Sequence, residues 1–220
     1  MTVAVSTGWE GERKRISLLA VERGTPGYTI GPRYRKLGWH ASDTRELVFD
    51  ACHVPRDNLI GEEGRGVEQF LHVLELGRVA IAALSVGLAQ ACLDECVRYA
   101  SVRHQFGVPI ARFQATQFKI ADMATQIQAA RLLTWRAAAL VDAGKAPGTH
   151  ASMAKLHASE VATACASHAV QIHGGAGFME DSPVARYYRD AKVGEIGEGT
   201  SEVQRILIAR ALLGAAVEES

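Results

Sequence analysis

The sequence predicts a mainly α-helical protein, in which an antiparallel helical bundle follows a short β-rich segment. Four of the six prolines lie in the first half of the chain, and the stretch from Gly8 to Pro55 reads as strands separated by turns that contain Gly and Pro. After Gly61 the chain changes to long segments rich in Ala and Leu, with apolar residues at helical spacing. Because long helices joined by short loops are typical of antiparallel bundles, we predict a division into residues 1–60 and 61–220.

The β-rich segment contains one stretch that indicates a buried strand. ISLLAV, residues 16–21, lacks the alternation of polar and apolar residues that a half-exposed strand shows, so we expect both of its faces to be covered. The TPGY and GWEG stretches carry the residues of turns. Isolated hairpins are only marginally stable in water, and the segment is too short to make a domain alone. We therefore expect the chain to be the second half of a larger protein.

The helices are predicted from periodicity and from the residues that begin and end them. We expect Ser182 to be the N-cap of the fourth helix, with Pro183 at its first position. Ser201 and Gln204 are expected to form a capping box at the start of the fifth helix, which Gly214 ends. The predicted limits of the five helices are residues 67–102, 114–143, 150–173, 182–193 and 201–213.

Composition argues against several classes of function. The formal net charge is zero, which disfavours binding to nucleic acid or to an anionic membrane surface. The apolar runs are interrupted by Arg, Glu or His, so no transmembrane helix is expected, and the N-terminal residues show no targeting pattern. The four cysteines lack CxxC spacing and are interpreted as buried or incidental thiols, and no histidine pattern indicates a metal site. We expect a cytoplasmic protein.

Three segments carry side chains suited to ligand binding, and each also has a purely structural interpretation. Arg103, in RHQFG, can interact with the C-terminal end of a helix, or its planar guanidinium can hold a phosphate. In QIHGGAGF, Gly174 and Gly175 form a turn or let the backbone approach a ligand. In LELGR, Glu75 and Arg78 form an ion pair on a solvated face, or the arginine reaches a carbonyl or phosphate of a ligand.

A fourth segment, GEIGEGTSEVQR at residues 194–205, is harder to explain by structure alone. Glu198 lies between Gly197 and Gly199, just before a predicted helix, where the helix dipole stabilises a carboxylate. The capping box predicted for this helix begins at Ser201, so Glu198 lies outside it. Capping alone therefore does not account for Glu198.

Taken together, these stretches closely resemble the C-terminal part of the flavin-dependent acyl-CoA dehydrogenase family. The resemblance covers nearly the whole chain in the family's order and spacing, and the set of motifs is far more specific than any one of them. It implies a C-terminal helical bundle of the acyl-CoA dehydrogenase type, preceded by a partial middle β-domain, with the family's N-terminal helical domain absent. The matching stretches include ISLLAVERGTPGYTIG, GRVAIAALSVGLAQACLDECVRYASVRHQFGVPIARFQATQFKIADM, MAKLHASEVA and AVQIHGGAGFMEDSPVARYYRDAKVGEIGEGTSEVQR.

The resemblance implies an activity, the FAD-dependent α,β-dehydrogenation of an acyl-CoA thioester to a trans-2-enoyl-CoA. Glu198, in the EGTS motif, corresponds to the family's base for the α-proton, while a hydride passes from the β-carbon to flavin N5. Such a base needs a pocket shielded from water and preorganised donors at the thioester oxygen. In the family these donors are a flavin ribityl hydroxyl and the backbone N–H of the base. Gly197 and Gly199 would keep side chains out of this crowded approach.

The resemblance also implies which residues contact the substrate and the cofactor. Gly199 is expected beside the substrate, and Glu75 with Arg78 near the acyl-CoA entry. An electron-transfer flavoprotein is the expected electron acceptor, and the chain is expected to form a homo-oligomer, either a dimer or a tetramer. The residues implied in FAD binding are Arg103, Gln105, Phe106, Gln114, Gln171, Gly174, Gly175, Thr200, Ser201 and Glu202. Of these, the residues from Arg103 to Gly175 are expected to reach the flavin of a neighbouring subunit.

Two positions depart from the pattern of other family members. Isovaleryl- and long-chain-type enzymes place the base beside the bundle arginine, where this chain has Gly77, so the location at Glu198 stands. Many members have an aromatic residue before the base, where this chain has Gly197, which opens the roof of the acyl pocket. The alternatives are an acyl-CoA oxidase and a non-catalytic oligomerisation module or partner subunit with the same bundle. The retained Glu198 disfavours a nitroalkane oxidase and a flavin monooxygenase.

Overall fold

The structure is a computed structural model that describes residues 1–217. The chain folds into two compact units, Met1–Leu74 and Glu75–Ser220. The boundary predicted between residues 60 and 61 concerns family domains rather than these units, and it stays a prediction. Each unit is described by itself below.

Two small antiparallel sheets form the first unit. The larger sheet has three strands in the order β1–β2–β5, and the smaller one pairs β3 with β4. ISLLAV lies mostly in β2, the central strand of the larger sheet. The strands are β1 (Thr2–Glu10), β2 (Arg13–Ala20), β3 (Tyr28–Arg33), β4 (Arg45–Phe49) and β5 (Leu59–Ile60).

The central strand β2 is covered on both faces where Ser17 and Leu18 lie, as the sequence predicts. These two neighbours point to opposite faces of the sheet, and both are buried. The Ser17 hydroxyl shares a hydrogen bond with Thr7 Oγ1 at 2.7 Å and accepts one from the Gly64 N–H at 2.8 Å. A buried hydroxyl with two partners avoids the penalty of an unsatisfied polar group.

Helices dominate the rest of the chain, which confirms the mainly α-helical class. The limits of the three long helices agree with the predicted limits to within two residues. A short hairpin of β6 (His104–Gln105) and β7 (Val108–Pro109) separates the first two. The helices are α1 (Gly66–Val102), α2 (Gln114–Asp142), α3 (Gly148–His173), α4 (Gly175–Phe178), α5 (Pro183–Ala191) and α6 (Ser201–Leu213).

The ends of the shorter helices test the turn chemistry expected from the sequence. Ser182 is the N-cap of α5 and Pro183 is its first residue, as predicted. This helix ends at Ala191, two residues before the predicted limit, and a 3-10 turn follows at Lys192–Glu195. The glycine-rich stretch after α3 forms a single helical turn, α4, that the sequence did not predict.

Small side chains fill the core of the second unit. Within this unit α3 packs against α2, α4, α5 and α6. Alanines occupy many of the positions where helices meet, and such small residues allow the helix axes to approach closely. The buried apolar residues of this core are Ala82, Val86, Ala89, Cys92, Cys96, Met123, Ile127, Ala130, Ala137, Ala154, Ala158, Val161, Ala162, Cys165, Ala166, Ala169, Val184 and Ala191.

The buried thiols behave as small apolar groups in this core. Cys92, Cys96 and Cys165 are free and buried, and Cys52 is free and half-buried. Burial raises the pKa of Cys96 to about 12 and that of Cys165 to about 11. Both thiols are therefore protonated and unreactive at neutral pH, in keeping with their interpretation from spacing.

The expectation that Arg, Glu or His interrupts the apolar runs was wrong for α1, whereas the expectation of no transmembrane helix stays a prediction. α1 is long enough to cross a membrane, and an 18-residue window within it has a mean hydropathy of 1.7. The reason is that no charged residue occurs between Arg78 and Asp94. Length and composition alone do not identify a membrane span, because core helices pass the same test. A third of this window is buried, including Ala82, Val86 and Ala89.

The dense alanine core predicts that added volume destabilises the second unit. Ala137 is fully buried in α2, whereas Ala139 is exposed on the same helix. We expect Ala137→Leu to lower the free energy of unfolding by about 1–3 kcal/mol, because the extra methylenes have no space. Ala139→Leu, the matched control, should change it by less than about 0.5 kcal/mol. Denaturant titration measures both, and equal effects would show that the core tolerates larger residues.

Candidate active site

The turn that carries Glu198 has an unusual backbone. Glu198 lies in the left-handed region with φ of 55°, and Gly199 follows with φ of 90°. A residue with a Cβ seldom adopts this conformation, so surrounding contacts must stabilise it. Left-handed non-glycine residues concentrate at functional sites more than elsewhere. Trp39, Ala51 and Phe106 share this backbone region, so the conformation agrees with a functional role for Glu198 without identifying it alone.

The Glu198 carboxylate lies directly against α1 at Gly77. A Cβ atom added to Gly77 would lie 2.6 Å from Glu198 Oε2 and 2.9 Å from Glu198 Cδ. Only glycine leaves room for the carboxylate in this position. The side chain is half-buried. Glu198 and Gly77 are thus neighbours in space although more than a hundred residues separate them in the chain.

Only one of the two glycines that flank Glu198 is required by the geometry of the turn. A Cβ on Gly199 would lie 2.7 Å from Gln204 Nε2, and its positive φ would strain any other residue. A Cβ on Gly197 would meet only Val193 O, at an ordinary contact distance of 3.4 Å. Contacts within the chain therefore require glycine at position 199 alone, and the expectation that both glycines clear the approach of a flavin and a thioester stays a prediction.

The predicted capping box at the start of α6 was wrong. Thr200 is the N-cap, with its hydroxyl accepting a hydrogen bond from the Val203 N–H at 3.4 Å. Ser201 is already the first helical residue, and its hydroxyl is buried without a partner. Thr200 and Ser201 are both good capping residues, and it is Thr200 that has the extended backbone of an N-cap. The Glu202 N–H and the Thr200 hydroxyl lower the pKa of the Glu202 carboxyl.

Gln204 does not cap the helix but binds the turn that precedes it. Its side chain is fully buried, and Nε2 donates to the carbonyl oxygens of Glu198 at 3.1 Å and Gly199 at 3.0 Å. Lys155, on α3, is also fully buried and donates from Nζ to the same Gly199 oxygen at 2.7 Å. Two buried donors thus hold the carbonyls of two successive peptides, Glu198–Gly199 and Gly199–Thr200.

Sequence reasoning did not identify Lys155, although a signal was present. Lys155 lies on the buried stripe of α3 that also contains Ala151, Ala158 and Ala162, at the spacing of one helix face. A lysine at a core-facing position is rare unless the charge has a partner. This polar residue within an alanine stripe was therefore a candidate for a specific interaction.

Glu75 and Arg78 do not form the ion pair of the structural interpretation. Within residues 1–217, no ion pair joins Glu75 to Arg78, although i,i+3 ion pairs occur elsewhere in the chain. Arg78 is half-buried next to Gly77, and its Nε is buried without a hydrogen-bond partner. Burial, and then the positive charge of Arg78, lower the pKa of Lys155. Arg78 therefore belongs to the surroundings of Glu198, with hydrogen-bonding capacity to spare.

A second set of predicted residues lines one cavity at the end of α1. Arg103, Gln105, Gly174 and Gly175 meet there around a volume of about 360 Å³. Gly174 ends α3 with φ of 59° and ψ of −137°, a conformation that favours glycine. Tyr99, Ile110, Ile172, His173 and Ala176 complete the lining.

The polar groups of this cavity have unused hydrogen-bonding capacity. Arg103 is exposed and makes no ion pair or side-chain hydrogen bond within the part of the chain that the structure describes. His173 is 7% exposed, stacks on Tyr99 with ring centroids 4.2 Å apart, and binds Ala169 O through Nδ1 at 2.8 Å. The other ring nitrogen, Nε2, is buried without a partner. A cavity with a free guanidinium and an unpaired imidazole nitrogen suits a polar, anionic ligand.

The other predicted cofactor residues lie outside this cavity. Gln171 lines a separate cavity of about 440 Å³, next to Phe178 and Tyr188. Phe106 is 93% exposed and contacts Phe113 edge-to-face. Gln114 is exposed at the first residue of α2. Among the described residues, no group of three or more His, Cys, Asp and Glu side chains could hold a metal ion.

A family model for the C-terminal domain of acyl-CoA dehydrogenases matches residues 64–213. The chain belongs to the acyl-CoA dehydrogenase family. The short-chain specific acyl-CoA dehydrogenase of Rattus norvegicus mitochondria is 49% identical over 211 residues, which are 96% of this chain and 51% of that protein. The resemblance seen in the motifs is thereby confirmed.

Solved structures of acyl-CoA dehydrogenase type agree with this assignment. Butyryl-CoA dehydrogenase from Megasphaera elsdenii is 44% identical with a TM-score of 0.92, covering 96% of this chain and 55% of that chain. A chain in a structure of the electron transferring flavoprotein of Acidaminococcus fermentans is also 44% identical with a TM-score of 0.92, covering 97% and 57%. The chain spans about half the length of the curated relatives it matches.

The close approach of Glu198 to Gly77 in this acyl-CoA dehydrogenase fold is open to a direct test. We expect Gly77→Ala to turn the Glu198 carboxylate away from α1, because the new Cβ would occupy its place. Gly87→Ala is the matched control on the same helix, since a Cβ there has open space. It should leave Glu198 in place and stabilise the helix by about 0.5–1 kcal/mol. Crystal structures of both variants decide, and an unmoved carboxylate in Gly77→Ala would contradict the geometry.

Proposed function

We propose that the protein catalyses the FAD-dependent dehydrogenation of an acyl-CoA thioester to a trans-2-enoyl-CoA, with Glu198 as the base. The observation that carries this proposal is the Glu198 carboxylate, held in a left-handed turn against Gly77. Membership of the acyl-CoA dehydrogenase family supports it. The names of the relatives cited above make a short acyl chain the first choice of substrate, and butyryl-CoA is the compound to test.

Glu198 is suited to remove the α-proton of the thioester. Its carboxylate takes the proton and leaves the electron pair on the substrate, where the new double bond forms as the β-carbon loses a hydride. The oxidant for this hydride would be FAD when it is bound. The Glu198 carboxylate is half-buried in this chain, and bound substrate and cofactor would shield it further from water.

The backbone of the same turn offers a donor for the thioester oxygen. The Glu198 N–H donates no hydrogen bond within residues 1–217. A backbone N–H that is already fixed in position stabilises negative charge on an oxygen without reorganisation. The resemblance assigns this N–H to the thioester oxygen, and its availability in the structure supports that role.

The cavity around Arg103 fits part of the cofactor. The free guanidinium can bind a phosphate, and the buried Nε2 of His173 can accept a hydrogen bond from a ligand hydroxyl. Gly174 and Gly175 let a ligand approach the backbone. We propose that this cavity receives FAD from a second copy of the chain, with Gln105 contributing. Roles for Phe106, Gln114, Gln171, Thr200, Ser201 and Glu202 in FAD binding rest on the resemblance alone.

Oligomer formation and an electron-transfer flavoprotein partner complete the proposal. Large apolar side chains are exposed on the second unit, including Phe106 at 93%, Phe178 at 81% and Trp135 at 61%. Such exposure is typical of surfaces that another chain covers, which supports a homodimer or homotetramer. The match to a chain in the Acidaminococcus fermentans structure supports an electron-transfer flavoprotein as the acceptor. A cytoplasmic location stays a prediction from the sequence.

Removal of the carboxylate tests the base. We expect Glu198→Gln to retain FAD but to slow anaerobic bleaching of the flavin by butyryl-CoA by about 10²–10⁴-fold, because the amide cannot accept the α-proton. Glu95→Gln, which removes a carboxylate that pairs with Arg98 elsewhere on α1, should bleach at the wild-type rate.

The same assay separates the alternative functions. Substantial bleaching by the Glu198→Gln variant would contradict its role as base. Bleached flavin that regains its colour in air with matching release of hydrogen peroxide would indicate an acyl-CoA oxidase. A colourless oligomer that takes up no FAD would indicate a non-catalytic module.

Loss of the guanidinium tests the cofactor cavity. We expect Arg103→Ala to weaken FAD binding by about tenfold to a hundredfold, since a hydrogen bond to a charged group contributes about 1.5–3 kcal/mol. Arg98→Ala is the matched control, because Arg98 is also exposed near the end of α1 but pairs with Glu95. Flavin absorbance after dialysis measures retention. Full occupancy in Arg103→Ala would exclude the phosphate role.

A further inference from the structure

The side chain of Lys155 is the largest that is fully buried among the described residues. Burial lowers the pKa of this lysine, while nearby carboxylates, among them Glu195 and Glu198, favour its charged form. Its Nζ donates to Gly199 O at 2.7 Å. A buried ammonium is unfavourable in an alanine-rich core, so its position calls for a specific explanation.

Stability alone does not explain why a lysine occupies this position. Methionine has a similar length and no charge, and replacing buried charged groups by apolar residues of similar volume is often neutral or stabilising. If methionine replaced Lys155, the Gly199 carbonyl would keep a donor, because Gln204 Nε2 also binds it at 3.0 Å. The ammonium is therefore not needed merely to satisfy a buried oxygen.

Lys155 and Gln204 both donate hydrogen bonds to backbone carbonyls of the turn from its buried side. From the interior of the bundle, Lys155 binds the carbonyl oxygen of Gly199, and Gln204 binds those of Glu198 and Gly199. In a trans peptide the C=O and the N–H point in opposite directions, so the N–H groups that follow, those of Gly199 and Thr200, face away from these donors. Holding both carbonyls therefore fixes the orientation of two successive peptides next to the base.

We propose that Lys155 and Gln204 are positioning residues that keep Glu198 in its left-handed conformation, with the carboxylate against Gly77. The inference rests on the proposed function of Glu198, since only a base needs this precision. Within residues 1–217, neither residue makes a hydrogen bond or an ion pair with the carboxylate. They act through the Glu198–Gly199 backbone, whose relaxation toward common conformations would swing the carboxylate out of place.

Amide hydrogen exchange and steady-state kinetics of the purified, FAD-loaded protein test the proposal together. We expect Lys155→Met to accelerate exchange in the peptide that covers residues 196–204 by about tenfold to a hundredfold, while other peptides of α3 keep wild-type rates. With butyryl-CoA, kcat should fall by a similar factor at unchanged KM and unchanged FAD occupancy, because binding remains while the base is misplaced.

Lys192→Met is the matched control. Lys192 also precedes the turn and carries the same charge, but it is exposed and pairs with Glu195 rather than with the backbone of the base. Its loss should leave exchange at 196–204 and kcat unchanged. Gln204→Met provides a second variant, because it removes the other donor to Gly199 O and the donor to Glu198 O, and it should also accelerate exchange there.

The outcomes separate this proposal from the proposed function. Wild-type exchange at 196–204 in both Lys155→Met and Gln204→Met would overturn the positioning role, whatever the activity of the protein. Faster exchange throughout the chain, together with loss of folded protein in both variants, would show that the two residues stabilise the whole fold. That result would also overturn the positioning role. Full activity in Glu198→Gln would instead refute the base, and the exchange results would still report on the turn.

Discussion

The hydrogen bond between the buried Lys155 ammonium and the Gly199 carbonyl is the interaction on which the shape of the candidate site depends. A charge inside an alanine-rich core is tolerated only with a strong partner, and the Gly199 oxygen becomes that partner because the chain turns at Glu198 through a left-handed backbone. The same turn presents the Glu198 carboxylate to Gly77 on α1. One buried interaction therefore connects the core of α3 with the position of the candidate base.

Close packing is the condition that allows this arrangement. The core consists largely of alanines, so the helices approach closely and the turn before α6 can lie against both α1 and α3. Gly77 extends the same principle to the site, because any larger residue would collide with the carboxylate. The space between α1 and the turn therefore accommodates one carboxylate, and the glycine on α1 is the residue that leaves this space open.

Much of the architecture could be predicted because local rules determine it. Periodicity and glycines located the long helices to within two residues, and Ser182–Pro183 began α5 as expected. Local rules failed where two residues compete for one role, as Thr200 and Ser201 do at the start of α6. The hydropathy of α1, by contrast, follows from the sequence alone, since no charged residue occurs between Arg78 and Asp94.

The sequence by itself determined the family, the helical class and the identity of Glu198 as the unexplained carboxylate, because these follow from motifs and periodicity that neighbouring residues carry. Only the tertiary structure decided what surrounds that carboxylate. Gly77, Lys155 and Gln204 come from three different helices, and periodicity indicates which face of a helix is buried without indicating what the face touches. It was also the structure that gathered Arg103 with Gly174 in one cavity, since the ends of α1 and α3 meet only in the folded bundle.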